Sequence, residues 1–103
     1  MATLTVILWR DIPAQVVARA GRQTAKVQLP GRFQETIDAA AMRAGLIGTD
    51  AYLGEWRQET RPCGDDLQAE ANDEAGRLEA GFPDPVLDRL ARAGGLQEGE
   101  EIE

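Results

Sequence analysis

Trp9-Arg10-Asp11 and Glu55-Trp56-Arg57 are the two runs of this chain whose side chains could do chemistry together. Each sets an indole beside a guanidinium and a carboxylate. If the two runs meet at one end of a sheet, the set could hold a carboxylate, a phosphate or a planar aromatic molecule by arginine pairing and ring stacking. The plainer reading makes both tryptophans core residues whose indole N–H groups find local acceptors. Arg10–Asp11 and Glu55–Arg57 are then solvated charges. Exposed tryptophans would instead mark a surface for a partner protein.

Cys63 is the single cysteine. It precedes an expected helix start, where backbone dipoles favour a thiolate. Asp65 and Asp66 stand beside it and their charges oppose one. No second cysteine is present to resolve an oxidised sulfur. A structural, half-buried residue is the preferred reading, with a reactive thiol as the alternative. Asp65, Asp66, Glu70, Asp73 and Glu74 crowd one stretch without the loop spacing of a calcium site. Helix capping and a charged outer face explain them, so no metal ligand set and no cofactor is expected. Gly45-Leu46-Ile47-Gly48-Thr49 lacks the Lys-Ser/Thr of a phosphate loop and reads as a connector.

The chain contains no histidine. Serine triads, Cys–His dyads and histidine-bound metals are thereby excluded. With no catalytic residue to name, a non-enzymatic role is the better expectation.

The supporting composition is that of one small globular domain: 103 residues, 43% hydrophobic and 28% charged. The net charge of −7 is uneven, with +2 over residues 1–63 and −9 over residues 64–103. An acidic half opposes phosphate binding, so nucleic acid is not an expected partner. No leader segment is evident and no apolar run approaches the ~20 residues of a membrane span. One cysteine demands no oxidising compartment. A cytoplasmic location away from membranes is the expectation.

Thr3 to Arg10 is rich in β-branched and aromatic residues, and its near-continuous apolarity suggests a central strand covered on both faces. Asp11-Ile12-Pro13 is expected to end it. Gln15 to Leu29 reads as a hairpin turning at Gly21, with a helix over residues 14–20 as the competing reading. Arg32 to Ala44 carries Phe33, Ile37, Ala40, Ala41 and Ala44 at helical spacing and stops at Gly45. Thr49 to Thr60 is read as a strand, and Pro62-Cys63-Gly64 as a break. A second helix follows, capped by Asp65 or Asp66, with Leu67, Ala71, Ala75, Leu78 and Phe82 inward. A short third helix has Asp84 as its cap and Val86, Leu87, Leu90 and Ala91 inward, and ends at Gly94-Gly95. The whole is an α+β fold, a small mainly antiparallel sheet with helices packed on one face. A single domain spans residues 1–94, and residues 95–103 are expected to be an acidic, frayed tail.

Several segments, taken in order, resemble the small bacterial "virulence factor" domain family. They are Trp9-Arg10-Asp11-Ile12-Pro13-Ala14-Gln15-Val16, then Arg32-Phe33 with Ile37-Asp38 and Ala41-Met42-Arg43-Ala44-Gly45-Leu46, then Thr49-Asp50-Ala51-Tyr52-Leu53 with Glu55-Trp56. The resemblance covers roughly residues 3–80. It extends to a domain of conserved virulence factor C, where the neighbouring modules are repeat-type and helical, which implies a binding role. Stand-alone members are encoded near corrinoid- and methyltetrahydrofolate-dependent methyl-transfer proteins. The resemblance therefore implies an accessory to one-carbon methyl transfer, with a corrinoid or folate methyltransferase component as partner. It brings no catalytic residues. The competing expectation is a small-ligand site or minor enzyme in which Arg10, Arg57 and Trp56 hold an anionic aromatic molecule such as a folate.

Overall fold

The computed structural model describes residues 1–96. Its elements run β1 (Ala2–Trp9), β2 (Ile12–Ala20), β3 (Gln23–Gln28), α1 (Gly31–Arg43), α2 (Asp50–Gly54), β4 (Trp56–Cys63), α3 (Leu67–Gly81) and α4 (Asp84–Arg92). The strands form one antiparallel sheet in the order β3-β2-β1-β4. This is the α+β architecture read from the sequence.

β1 takes the interior position expected of it. One face of its pleat buries Ala2, Leu4, Val6 and Leu8, while Thr3 on the other face is exposed and Thr5 and Ile7 are half-buried. Covering on both faces, inferred from the apolar run, is thus not found along Thr3–Ile7. It holds only at Trp9, where other segments close over the strand end. The matching residues Val16 and Ala18 of β2 and Ala25 of β3 are buried beside the β1 set. α3 lies across β2, β3 and β1, and α1 packs on α4 and β2.

Two prolines sit inside strands where the sequence reading had placed breaks. Pro13 lies in β2, beside a bulge at which the register with β1 shifts between Ile7 and Leu8. β3 has by then stopped, opposite Gln15, so no third strand asks Pro13 for an N–H. Pro62 lies in β4, an edge strand with an unpaired side, and the strand runs on to Cys63. The hairpin turn at Gly21 is as expected, with φ of 58°, and residues 14–20 are strand, not helix.

The expected strand over Thr49–Thr60 is divided. Its first part is α2, because the Thr49 hydroxyl accepts from the Tyr52 N–H at 3.4 Å and Asp50 occupies the first turn. The alternation of Tyr52, Gly54 and Trp56 that suggested a strand is also a four-residue helical spacing between the two aromatic rings. The chain becomes β4 only at Trp56.

α1 buries Phe33, Thr36, Ile37, Ala40 and Ala41. Gly45 follows with φ of 75°, the left-handed exit expected. Asp66 caps α3, accepting from the Ala69 N–H at 3.2 Å. Leu67, Ala71 and Ala75 are buried, with Leu78 and Phe82 half-buried against the core. α4 begins at Asp84 with Pro83 in the cap position, one residue earlier than expected. Arg32 ties the helices together: its guanidinium donates to the carbonyls of Phe82 (2.7 Å) and Glu79 (3.3 Å) at the end of α3, and lies over the Phe33 ring. The expected tail does not begin at residue 95, since Gly95 is buried against the sheet. Residues 97–103 lie outside the described residues.

Ile37 is fully enclosed where α1 meets the rest of the core. Ile37→Ala is expected to lower stability by about 3 kcal/mol in urea unfolding, from lost transfer energy plus a cavity.

Candidate functional site

The β1–β2 connection is as short as a hairpin permits. Trp9 pairs with Ile12, leaving only Arg10 and Asp11 to reverse the chain. A two-residue turn between twisted strands needs positive φ, and glycine or asparagine normally supplies it. Here Arg10 does so, at 53°, as the only non-glycine residue with positive φ among those described. Such a conformation costs an L-residue about 1–2 kcal/mol, so contacts elsewhere must hold it.

Those contacts use the whole side chain. The Arg10 guanidinium lies 5.1 Å from the Trp9 ring, 3.2 Å from Glu55 Oε1 through Nε, and donates from Nη1 to the Gly94 carbonyl at 2.8 Å. The Nε–Glu55 approach has the distance of an ion pair without hydrogen-bond alignment. The Arg10 backbone N–H donates to the Glu55 carbonyl at 3.1 Å, and its own carbonyl accepts from Arg57 Nε at 2.8 Å. Arg57 also reaches Asp11 through Nη2 at 3.2 Å and pairs closely with Glu59 through Nη1. The Glu59 hydrogen bond is the largest influence on the Arg57 guanidinium. It raises the pKa above the ordinary arginine value against the opposing cost of burial, and the charge of Glu59 and the contact with Asp11 add to the rise. Arg57 is therefore charged at any pH at which the protein folds.

The aromatic residues form the other half of the site. β1 and β4 run in register so that Trp9 faces Trp56. Trp9 is fully buried and its Nε1–H donates to the Tyr52 carbonyl at 2.9 Å. The Tyr52 ring is tilted on Trp9 at 5.6 Å and edge-on to Trp56 at 6.3 Å, and Trp56 is half-buried.

All six residues singled out in the two runs thus meet at one end of the sheet, as the side-by-side placement required. Their environment is the plainer one for Trp9, a core indole with a local acceptor. The charged groups differ from the solvated pairs expected within each run. They cross over, Arg10 to Glu55 and Arg57 to Asp11, and so lace the turn to β4.

Cys63 is not part of this group. It pairs with Ala2 at the opposite end of β4, about 23 Å from Trp56 at strand rise, and is half-buried against the core. Glu74, from the acidic stretch, takes Arg61 (3.0 Å) and Arg77 (2.8 Å) beside a groove of about 260 Å³ floored by Leu4 and Val6. Among the described residues no group of three or more carboxylate or thiol side chains is arranged to hold a metal ion. No helix among them is long and apolar enough to cross a membrane.

Three contributors escaped the sequence reading. Tyr52 reads from sequence as part of a strand, and nothing in the sequence distinguishes Glu59 from other surface charges. Gly94-Gly95 reads from sequence as a helix stop, although one glycine suffices to end a helix and the doubling is itself a signal.

A family model described as "Virulence factor" matches residues 7–91. The chain belongs to the virulence factor family. The match takes in the turn, β4, α3 and all but the last residue of α4, so it begins inside the roughly 3–80 of the resemblance and runs past its end. No curated protein and no solved structure matches the chain.

The two tryptophans are expected to differ sharply. Trp9→Phe removes the bond to Tyr52 and leaves space in a closed site, and should cost about 2–3 kcal/mol. Trp56→Phe should cost under about 1 kcal/mol. Thermal and urea unfolding of both variants would check the contrast.

Proposed function

We propose that this virulence factor domain is a non-catalytic accessory module that binds a larger protein at the Trp9–Trp56 end of its sheet. The observation that carries this reading is the distribution of exposed apolar side chains. Besides Met1, the large ones among the described residues are Met42, Leu53, Ile47 and Leu96, exposed to 70%, 67%, 52% and 48%. All four belong to segments that reach this end: α1 and the connector after it, by way of Ala44, which lies beside Gly94, then α2 and the exit from α4. Leu53 neighbours Tyr52, whose carbonyl holds the Trp9 indole, and Leu96 follows Gly95, whose carbonyl accepts from the Asp11 N–H. Apolar side chains kept in water beside a charged rim suit a protein partner.

Within that reading, the partner class is a component of corrinoid- or methyltetrahydrofolate-dependent methyl transfer, and the chain's role is in one-carbon metabolism toward methionine. That class rests on the family resemblance. The competing folate-like ligand needs guanidiniums free to pair with its carboxylates. Arg10 and Arg57 are each already matched by carboxylates and main-chain carbonyls, which favours the accessory role.

Affinity purification of the tagged chain from its native host is expected to recover a larger protein in stoichiometric amount. Met42→Asp/Leu53→Asp should lose that protein with little change in melting temperature. Recovery of the chain alone would overturn the accessory role, and retention of the partner by the double variant would overturn the surface.

A further inference from the structure

Gly94 and Gly95 are buried and take φ of 72° and 93°. Their N–H groups and their carbonyls serve different neighbours. The Gly94 N–H donates to Ala91 O at 3.3 Å and the Gly95 N–H to Leu90 O at 2.7 Å, which closes the last turn of α4. That cap requires one left-handed glycine. The second is required by Trp9. A Cβ on Gly95 would lie 2.8 Å from Cζ3 and 3.2 Å from Cε3 of the indole, and 3.3 Å from Arg10 Cβ.

The carbonyls belong to the β1–β2 turn. Arg10 Nη1 donates to Gly94 O and the Asp11 N–H donates to Gly95 O, each at 2.8 Å. A guanidinium and a backbone donor thus grip two successive carbonyls, and an indole beside them admits no side chain. Hydrogen bonds to successive main-chain carbonyls, with a neighbouring surface that selects against side chains, are elements of peptide recognition, and here the held segment is left-handed. The peptide in place is the chain's own.

We propose that the Trp9-Arg10-Asp11 turn is a cradle for a Gly-Gly peptide segment, closed in cis by Gly94-Gly95, and that this strap yields to a glycine-bearing segment of the partner protein. The proposal rests on the accessory role above and names the chemistry its partner must present: two consecutive carbonyls, with no side chain at the second residue. The strap is suited to release. It reaches the turn through two hydrogen bonds and side-chain-free main chain, whereas β1 beneath it is laddered on both sides. The proposal requires the strap to open locally, with its own N–H bonds to α4 kept and the core still folded. Release would uncover an indole and a guanidinium, the pair most often found at the centre of protein interfaces.

Hydrogen exchange on the full chain tests the release. The Asp11 amide is expected to exchange at least tenfold faster than the Leu4 and Val6 amides of β1, by an opening that denaturant barely affects. Occupancy is tested in a Trp56→Phe background, where Trp9 is the only tryptophan and can be excited selectively over Tyr52. Gly95→Ala should raise acrylamide quenching of Trp9 several-fold. The blocked peptide Ala-Arg-Ala-Gly-Gly-Leu at millimolar concentration should reverse that rise, and the same peptide with alanine for its second glycine should not. An Asp11 amide that exchanges only with global unfolding would overturn the proposal, as would quenching that the glycine peptide leaves unchanged. If Gly95→Ala does not fold, the exchange result on the native chain decides. A partner recovered by a chain whose Asp11 amide never opens locally would overturn the cradle and leave the accessory role standing.

Discussion

A buried indole must find an acceptor for its N–H, and the Trp9 indole finds one only in the Tyr52 carbonyl, 2.9 Å away. That single requirement reaches through much of the domain. It fixes where α2 lies, and with it the point at which the chain re-enters the sheet as β4. It also brings the Tyr52 ring between the two tryptophans, so three aromatic residues from two strands and a helix share one cluster. The Gly94-Gly95 segment completes the enclosure from the remaining side. The strand end is therefore closed by segments distant in sequence, each shaped to the indole.

The left-handed Arg10 belongs to the same arrangement. A glycine there would form the turn with less strain, but it could not reach Glu55 or the Gly94 carbonyl. The side chain thus offsets a backbone cost with an ion pair, a hydrogen bond and a cation–π contact, in a pocket where only 17% of it meets water. Arg57 works from the opposite strand and supports the turn through the Arg10 carbonyl and Asp11. These are crossed pairs across a hairpin end, partly shielded and mutually reinforcing, unlike isolated surface ion pairs of small net worth.

The sheet, α1, α3 and α4 were legible because their signals are periodic and local: β-branched alternation, an apolar stripe of Phe33, Ile37, Ala40 and Ala41, an aspartate cap, a glycine exit. The juxtaposition of the two Trp-Arg runs was also legible, since neighbouring strands were the simplest way to use them. What could not be read was tertiary in origin. Pro13 and Pro62 look like strand breakers until one sees that one sits by a bulge beyond its third strand and the other on an edge. Tyr52 alternates with Trp56 as a strand would, and only the Thr49 cap turns the segment into helix. That the arginines exchange carboxylates across the runs, and that Trp9 needs Tyr52 and Gly95, depends on register, which periodicity does not encode.

The position of β1 has a consequence for how the chain is made. Its pairing with β2 is local and can form as soon as the first hairpin has been synthesised. Its pairing with β4 joins Ala2 to Cys63 and Leu4 to Arg61, contacts that wait on most of the domain. During that interval β1, an inner strand of the finished sheet, is an outer strand of a nascent one. It then shows an open row of backbone donors and acceptors, with Leu4, Val6 and Leu8 uncovered. The stage of synthesis before β4 docks is thus when this protein is most exposed to wrong pairing.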